Sequence, residues 1–372
     1  MAIMTMIKYV KEYGDTSFLE KPMNDVDSLI LCQFSYLKFD GLVPKLDENK
    51  PSVSMKQLAG HANYEDLFKD ERYEKENRAL FEAMAESKRF GNLKMNCFID
   101  IIEMEWETQF SAITYLLDDG TIYVCYRGTD EKLIGWKEDF NMSFLKPIPG
   151  QEYSVKYLNI VTNRFPNKFY VGGHSKGGNL AIYASMECLE EVKERIINIY
   201  CMDGPGFRPE VLDREEYASI ADREIKIIPH SSLVGMLFQT DTNYKVVESK
   251  NFGLTQHDPY SWLIKDGEFW EVEEVDKARQ FSNETLNEWV LSQDQETLRV
   301  FGETLFKVLY ASGADNLIDL GKDWKKSLNG VLTALKEIDP DTKKMVKLAV
   351  KEFIELGAKR LFDKAEKDED EE

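Results

Sequence analysis

Basic side chains are scarce in this 372-residue chain: 47 Lys and Arg stand against 67 Asp and Glu, a formal net charge of −20. Such an excess repels polyanions, so a nucleic-acid partner is not expected. Long apolar runs are missing too. No run of about 18 apolar residues occurs, so no transmembrane segment is expected. The first ten residues, 1–10, are apolar only briefly and lack a basic leader and a small-residue cleavage site, so a secretory signal is not expected either. Cysteine is rare and odd in number. Cys32, Cys97, Cys125, Cys188 and Cys201 are scattered, mostly within apolar runs, and share no zinc or redox spacing. They read as buried free thiols of a cytoplasmic protein, with no metal and no cofactor called for. Histidine is limited to His61, His174, His230 and His257, which narrows any search for a general base.

What is present is an apolar fraction of 43%, enough for a sizeable core. Residues 1–22 carry no strong pattern and are expected to be poorly ordered or loosely docked. Asn24 or Asp25 can cap a helix running to Tyr36, with acids in its first turn. Residues 51–90 read as helical, with Leu58, Leu67, Leu80, Phe81 and Met84 facing inward. From Phe98 the pattern becomes strand-like. Asp118-Asp119-Gly120 between two β-rich runs predicts a hairpin. Helices near 135–144 and 151–165 precede an apolar strand, 169–173, so that strand, crossover helix and strand form a parallel unit. Further strands are predicted at 196–202, 225–228, 245–247 and 269–272. The alternation predicts an α/β fold with a mainly parallel sheet flanked by helices. After residue 275 the strand pattern stops, and 276–311, 315–336 and 341–365 read as amphipathic helices. The expected organisation is an N-terminal helical segment (1–95) packed on the core, an α/β core (96–275), a C-terminal helical extension (276–363) and an acidic disordered tail (364–372).

Gly173-His174-Ser175-Lys176-Gly177 is a G-x-S-x-G sequence between a predicted strand and a predicted helix. The glycines permit a turn too tight for side chains two residues either side of the serine. The turn lifts the Ser175 hydroxyl above the sheet edge, facing the free N–H groups of the next helix. A serine nucleophile needs a base, and the base needs an orienting group. His174 lies within the turn and should point away from Ser175, as packing or hydrogen-bonding support. His61 reads as structural. His257 is preferred over His230 as base, because it gives the chain order serine, acid, histidine. Asp203, delivered by the 196–202 strand to a Gly-Pro-Gly turn, is the preferred acid. A structural turn at Asp203 is the competing reading, and Asp241 and Asp258 are weaker candidates. Lys176 N–H and the Thr129 N–H, on the loop Arg127-Gly128-Thr129, are the expected oxyanion donors.

Tyr126-Arg-Gly-Thr-Asp130, Trp136 with Glu138-Asp139, and Gly173–Gly178 resemble the class 3 lipase pattern of the α/β-hydrolase fold. Gly172–Ala181, Met202–Phe207, Pro229–Leu237 and Gln256–Trp262 resemble more closely a bacterial lipase-like group catalogued as a domain of unknown function. The resemblance covers roughly residues 24–275. It implies an α/β-hydrolase fold and a serine hydrolase of esterase, lipase or thioesterase type, working through an acyl-enzyme on Ser175. Its substrate would be a small-molecule or lipid ester. A catalytically silent binding or scaffold protein is the alternative. Two positions depart from the class 3 lipase pattern. The stretch His230-Ser-Ser-Leu-Val234 holds no carboxylate where class 3 lipases carry their acid. Lys176 stands where lipases usually have Leu or Gln.

Overall fold

Two-residue periodicity in the strands sorts the core into two faces. The computed structural model describes residues 3–69, 73–103, 105–130, 132–142, 147–238, 243–273, 275, 287, 290–311 and 344. Its strands are β1 (Ile3–Met4), β2 (Val53–Ser54), β3 (Lys94–Glu103), β4 (Thr108–Leu116), β5 (Ile122–Tyr126), β6 (Phe169–His174), β7 (Ile196–Met202), β8 (Glu224–Pro229), β9 (Lys245–Val247), β10 (Ile264–Lys265), β11 (Glu268–Phe269) and β12 (Glu271–Val272). Nine of them form one sheet in the order β12-β9-β8-β7-β6-β5-β4-β3-β2. Strands β5 to β9 run parallel, and antiparallel pairs β4–β5, β2–β3 and β12–β9 flank them. The Asp118–Gly120 hairpin joins β4 to β5, as the turn residues predict. This is an α/β-hydrolase-like fold with a mainly parallel sheet.

The chain divides into two units. The first holds residues 1–102, 110–128 and 149–287, and the second 103–109, 129–148 and 288–372. In the first unit, Tyr123, Cys125, Tyr170, Tyr200 and Met202 point to one face of the sheet. Helices α1 (Met6–Tyr13), α2 (Asp25–Phe34), α3 (Met55–Ala59) and α4 (Glu74–Glu86) bury their apolar residues there. The alternate residues Ile122, Val124, Tyr126, Val171, Ile199 and Cys201 point to the other face. Tyr157, Leu158, Leu180, Ala181 and Ala184 from the helices either side of β6 cover it. At about 25 cal/mol per Å² of apolar surface, such two-sided burial is the main stabilising term. Helix α2 starts where the sequence places it. Asn24 accepts from Asp27 N–H while the Asp27 side chain accepts from Asn24 N–H, a complete capping box.

The described residues 3–22 correct the expectation of poor order or loose docking. Met6, Tyr9, Val10 and Phe18 are buried, and β1 pairs with β10. Their anchor is Arg89, whose guanidinium binds the Thr16, Ser17, Lys21 and Pro22 carbonyls.

The second unit also differs from the expected C-terminal extension, because it draws on three separate stretches. Helix α6 (Leu133–Asn141, preceded in the chain by the four-residue Lys88–Gly91 helix α5, which also carries Arg89) meets the helix Gln295–Ala311. Phe140 packs on Phe301 with ring centroids 5.3 Å apart. A side chain at Gly302 would overlap the Phe140 ring, so glycine sets the approach. Glu107 from the third stretch pairs with Lys137. The expected helices at 315–336 and 341–365 lie outside the described residues apart from Lys344, and so does the tail at 364–372.

Candidate active site

The nucleophile candidate sits where β6 turns sharply into α8 (Lys176–Glu187; α7, Pro149–Arg164, leads into β6). Ser175 has φ +60° and ψ −133°, a conformation a non-glycine residue holds only when its surroundings impose it. The surroundings are specific. A Cβ at Gly173 would fall inside the Gly177 backbone, and one at Gly177 would overlap Tyr126 O. Ser175 N–H donates to Met202 O at 2.9 Å, tying the turn to the end of β7.

Asp203 follows directly on β7, at φ +51° and fully buried. Its N–H donates to Ile227 O at 2.8 Å. The following turn is braced by Asn179 of α8, whose Nδ2 donates to Pro205 O at 3.2 Å and Gly206 O at 3.0 Å. Asp203 Oδ2 lies 2.6 Å from His257 Nδ1. A carboxylate only accepts, so Nδ1 carries the proton of this bond, and in the neutral imidazole the lone pair a general base requires lies on Nε2.

His257 ends a 3-10 turn, Gly253–His257, whose neighbour Gln256 is completely buried. Gln256 Oε1 accepts from Ser231 N–H at 2.7 Å, its Nε2 donates to Asn251 O at 2.7 Å, and its carbonyl accepts from Trp262 Nε1 at 2.9 Å. His174 braces the same loop. Its Nε2 donates to the His257 carbonyl at 2.9 Å, so its Nδ1 accepts from Tyr36 Oη at 3.0 Å. The two imidazole rings lie 4.4 Å apart. Among the described residues no hydrogen bond joins the Ser175 hydroxyl to His257. The structure thus brings Asp203 and His257 into direct contact, and His257 to the residue beside Ser175.

His230 faces elsewhere: its Nδ1 is 3.3 Å from Glu248 Oε1 and its Nε2 3.0 Å from Gln256 Nε2. His61 is exposed and accepts from Asn63 N–H. Asp258 caps Tyr260 N–H at 2.9 Å, and Asp241 lies outside the described residues. Lys176 is buried, 1% exposed, at the first position of α8. Gly128 packs against the nucleophile: a Cβ there would lie 2.5 Å from His174 O and 3.0 Å from Ser175 Cβ. Thr129, in the second unit, donates its hydroxyl to Asp139 Oδ2 at 2.7 Å. The five cysteines are buried and free. Among the described residues no cluster of His, Cys, Asp and Glu is arranged to hold a metal, and no helix is long and apolar enough to cross a membrane.

Sequence reasoning assigned no role to Tyr36, Asn179, Ser232, Gly235 or Gln256. All but Tyr36 lie within the stretches that carry the family resemblance, and Ser232 and Gly235 also have the composition of a polar turn.

A strained serine at a strand–helix turn, with acid and histidine delivered beyond later parallel strands, defines a protein of the α/β-hydrolase class. Within that class the chain belongs to the Mbeg1-like family, which matches residues 84–307, and it is a lipase-like relative. A search of curated proteins finds no match. Among solved structures it is similar to one titled "Crystal structure of M37 lipase", with 15% identity and a TM-score of 0.35, over 56% of this chain and 68% of that one.

Proposed function

We propose that this protein is a serine hydrolase acting on ester bonds through an acyl-enzyme on Ser175. The observation that carries the reading is the 2.6 Å contact between the buried Asp203 and His257, on a loop clamped to the residue preceding Ser175. In the proposed reaction His257 Nε2 takes the Ser175 proton as the hydroxyl attacks the ester carbonyl. Asp203 holds the imidazole in the required tautomer and stabilises the imidazolium. The oxyanion is met by the Lys176 N–H at the start of α8. Collapse of the tetrahedral intermediate passes the proton to the leaving alcohol. Water, deprotonated by His257, then hydrolyses the acyl-enzyme. The substrate class is a small-molecule or lipid ester.

The test is covalent labelling with a fluorophosphonate probe, together with turnover of p-nitrophenyl esters of increasing chain length. Labelling and turnover are expected in the natural chain, with both lost in a folded Ser175→Ala variant. The second reading, a silent hydrolase fold used for binding, is favoured by the lack of a hydrogen bond between Ser175 and His257. It predicts no labelling. Catalytic hydrogen bonds commonly tighten only when substrate binds, so the labelling experiment decides between the two.

A further inference from the structure

The loop after β8 doubles back onto the acid. Ser232 N–H donates to Pro229 O at 2.9 Å, closing a tight turn. Gly235 N–H then donates to Ser232 Oγ at 2.9 Å. That bond occupies a lone pair of the hydroxyl and leaves its proton for Asp203 Oδ1, to which Ser232 Oγ donates. Gly235 is required by the same geometry, because a Cβ there would overlap Asp203 Oδ1 and come within 3.0 Å of Ser232 Oγ. Ser232 is 2% exposed and Asp203 is fully buried, so solvent does not compete for Oδ1. One carboxylate oxygen is therefore gripped by the Ser232–Gly235 turn and the other by His257.

We propose, building on the hydrolase reading above, that Ser232 is a positioning residue that sets both the orientation of the Asp203 carboxylate and the basicity of His257. Two physical effects follow from its hydroxyl. It fixes rotation of the carboxyl group, so that Oδ2 faces Nδ1. It also draws negative charge toward Oδ1, away from the imidazole. A hydrogen bond to a charged group is worth more than a neutral one, and a chain of such bonds polarises its members. Without Ser232, more charge falls on Oδ2, and the imidazolium form of His257 is favoured. The other groups around His257 are the His174 ring, Asp258 next in the chain, and the His230–Glu248 pair across Gln256. A substitution at Ser232 changes none of these side chains.

The experiment is a pH titration of the His257 imidazole by nitrogen NMR in the full chain, run beside ester turnover, for the natural protein and Ser232→Ala. In Ser232→Ala the His257 midpoint is expected to move to higher pH. Because the base must be neutral, the acid limb of kcat/KM should move up with it. The kcat is expected to fall roughly ten- to hundredfold, as for loss of one charge-assisted bond, with KM within about twofold. A folded Ser232→Ala protein with an unchanged midpoint and unchanged kcat overturns the proposal. Should the alanine variant fail to fold, Ser232→Cys keeps the side-chain shape with a somewhat larger atom and weakens the donor. The same upward shift is expected there, and an unchanged midpoint in that variant also overturns the proposal. If the midpoint moves but the natural chain turns over no ester, Ser232 retains its positioning role and the hydrolase reading falls instead.

Discussion

Replacing Arg89 by methionine is expected to destabilise the sheet-bearing unit by about 3–5 kcal/mol, the cost of orphaning a buried charge. Arg89 and Asp27 have side chains 2% and 0% exposed, and their pairing is bidentate, with Nε 2.8 Å from Oδ1 and Nη2 on Oδ2. The guanidinium also serves the four carbonyls of residues 16, 17, 21 and 22 and lies 4.1 Å above the Phe18 ring. Methionine keeps much of the volume and removes every donor. Asp27 would then rely on Asn24 N–H at 3.0 Å and Tyr9 Oη at 3.4 Å, neither of which carries a charge. The carbonyls matter less, since three of the four sit where water can replace part of the lost bond. The adjacent Lys88 supplies the control. Its pair with Glu20 is about half exposed on both sides, so Lys88→Met is expected to cost under about 1 kcal/mol. Urea unfolding of each variant measures the difference. Adding Asp27→Asn to Arg89→Met removes the orphaned charge and is expected to restore at least half of the loss. An Arg89→Met variant no weaker than Lys88→Met, or a double variant no more stable than Arg89→Met, would refute this account of the pair.

Two further outcomes are expected. Gly128→Ala forces a Cβ against the His174 carbonyl and Ser175 Cβ, and the loop must shift. An approximately 1 Å displacement there is expected to lower ester turnover by about 10²-fold, whereas Gly60→Ala, whose Cβ would meet its nearest neighbour at 3.6 Å, should leave turnover intact; equal activity in the two variants would count against Gly128 as part of the site. The thiols should be inert in the native state. Burial pushes Cys188 up to about 11 and Cys201 up to about 12, and raises Cys97 and Cys125 as well. With a chromogenic disulfide at pH 8, the five cysteines of the chain should react only after denaturation, and rapid labelling of the folded chain would show an open thiol.

The parts of the fold that could be read in advance are those fixed by near neighbours. The α2 start follows from Asn24 and Asp27, three residues apart. The turn at Ser175 follows from glycines two residues either side. Strand alternation assigns Tyr123 and Tyr200 to one face and Val124 and Ile199 to the other. What escaped reading depends on distant partners. The segment before α2 has little pattern of its own, and its described residues are held by partners far along the chain, Arg89 and β10. Periodicity predicts a helix over 276–311, of which the described helix is Gln295–Ala311, but nothing in its sequence names α6 as its partner. Within the site, the order of Ser175, Asp203 and His257 singles out the histidine now found against Asp203. Ser232 reads only as part of a polar turn, since its bond to Asp203 spans 29 residues.

The strained residues of the site point to one physical logic. Ser175 and Asp203 both hold positive φ, each at the carboxyl end of neighbouring parallel strands β6 and β7. Such conformations cost of order 1–3 kcal/mol each and persist only where the surroundings over-determine them. Here the two turns restrain each other. Ser175 N–H is spent on Met202 O, and a Cβ at Gly204 would press within 2.6 Å of Ser175 O. Asn179 ties α8 to the carbonyls after Asp203, and Gln151 of α7 donates in turn to Asn179 Oδ1 at 2.9 Å. Relaxing either turn would therefore break hydrogen bonds in the other. Tyr36, just beyond α2, reaches His174, and His174 reaches the His257 carbonyl. Helices on both faces of the sheet thus converge on the same three strand-end segments. The strain is held by the packing of the whole first unit, so the direction of the Ser175 and Asp203 side chains is set before any ligand arrives.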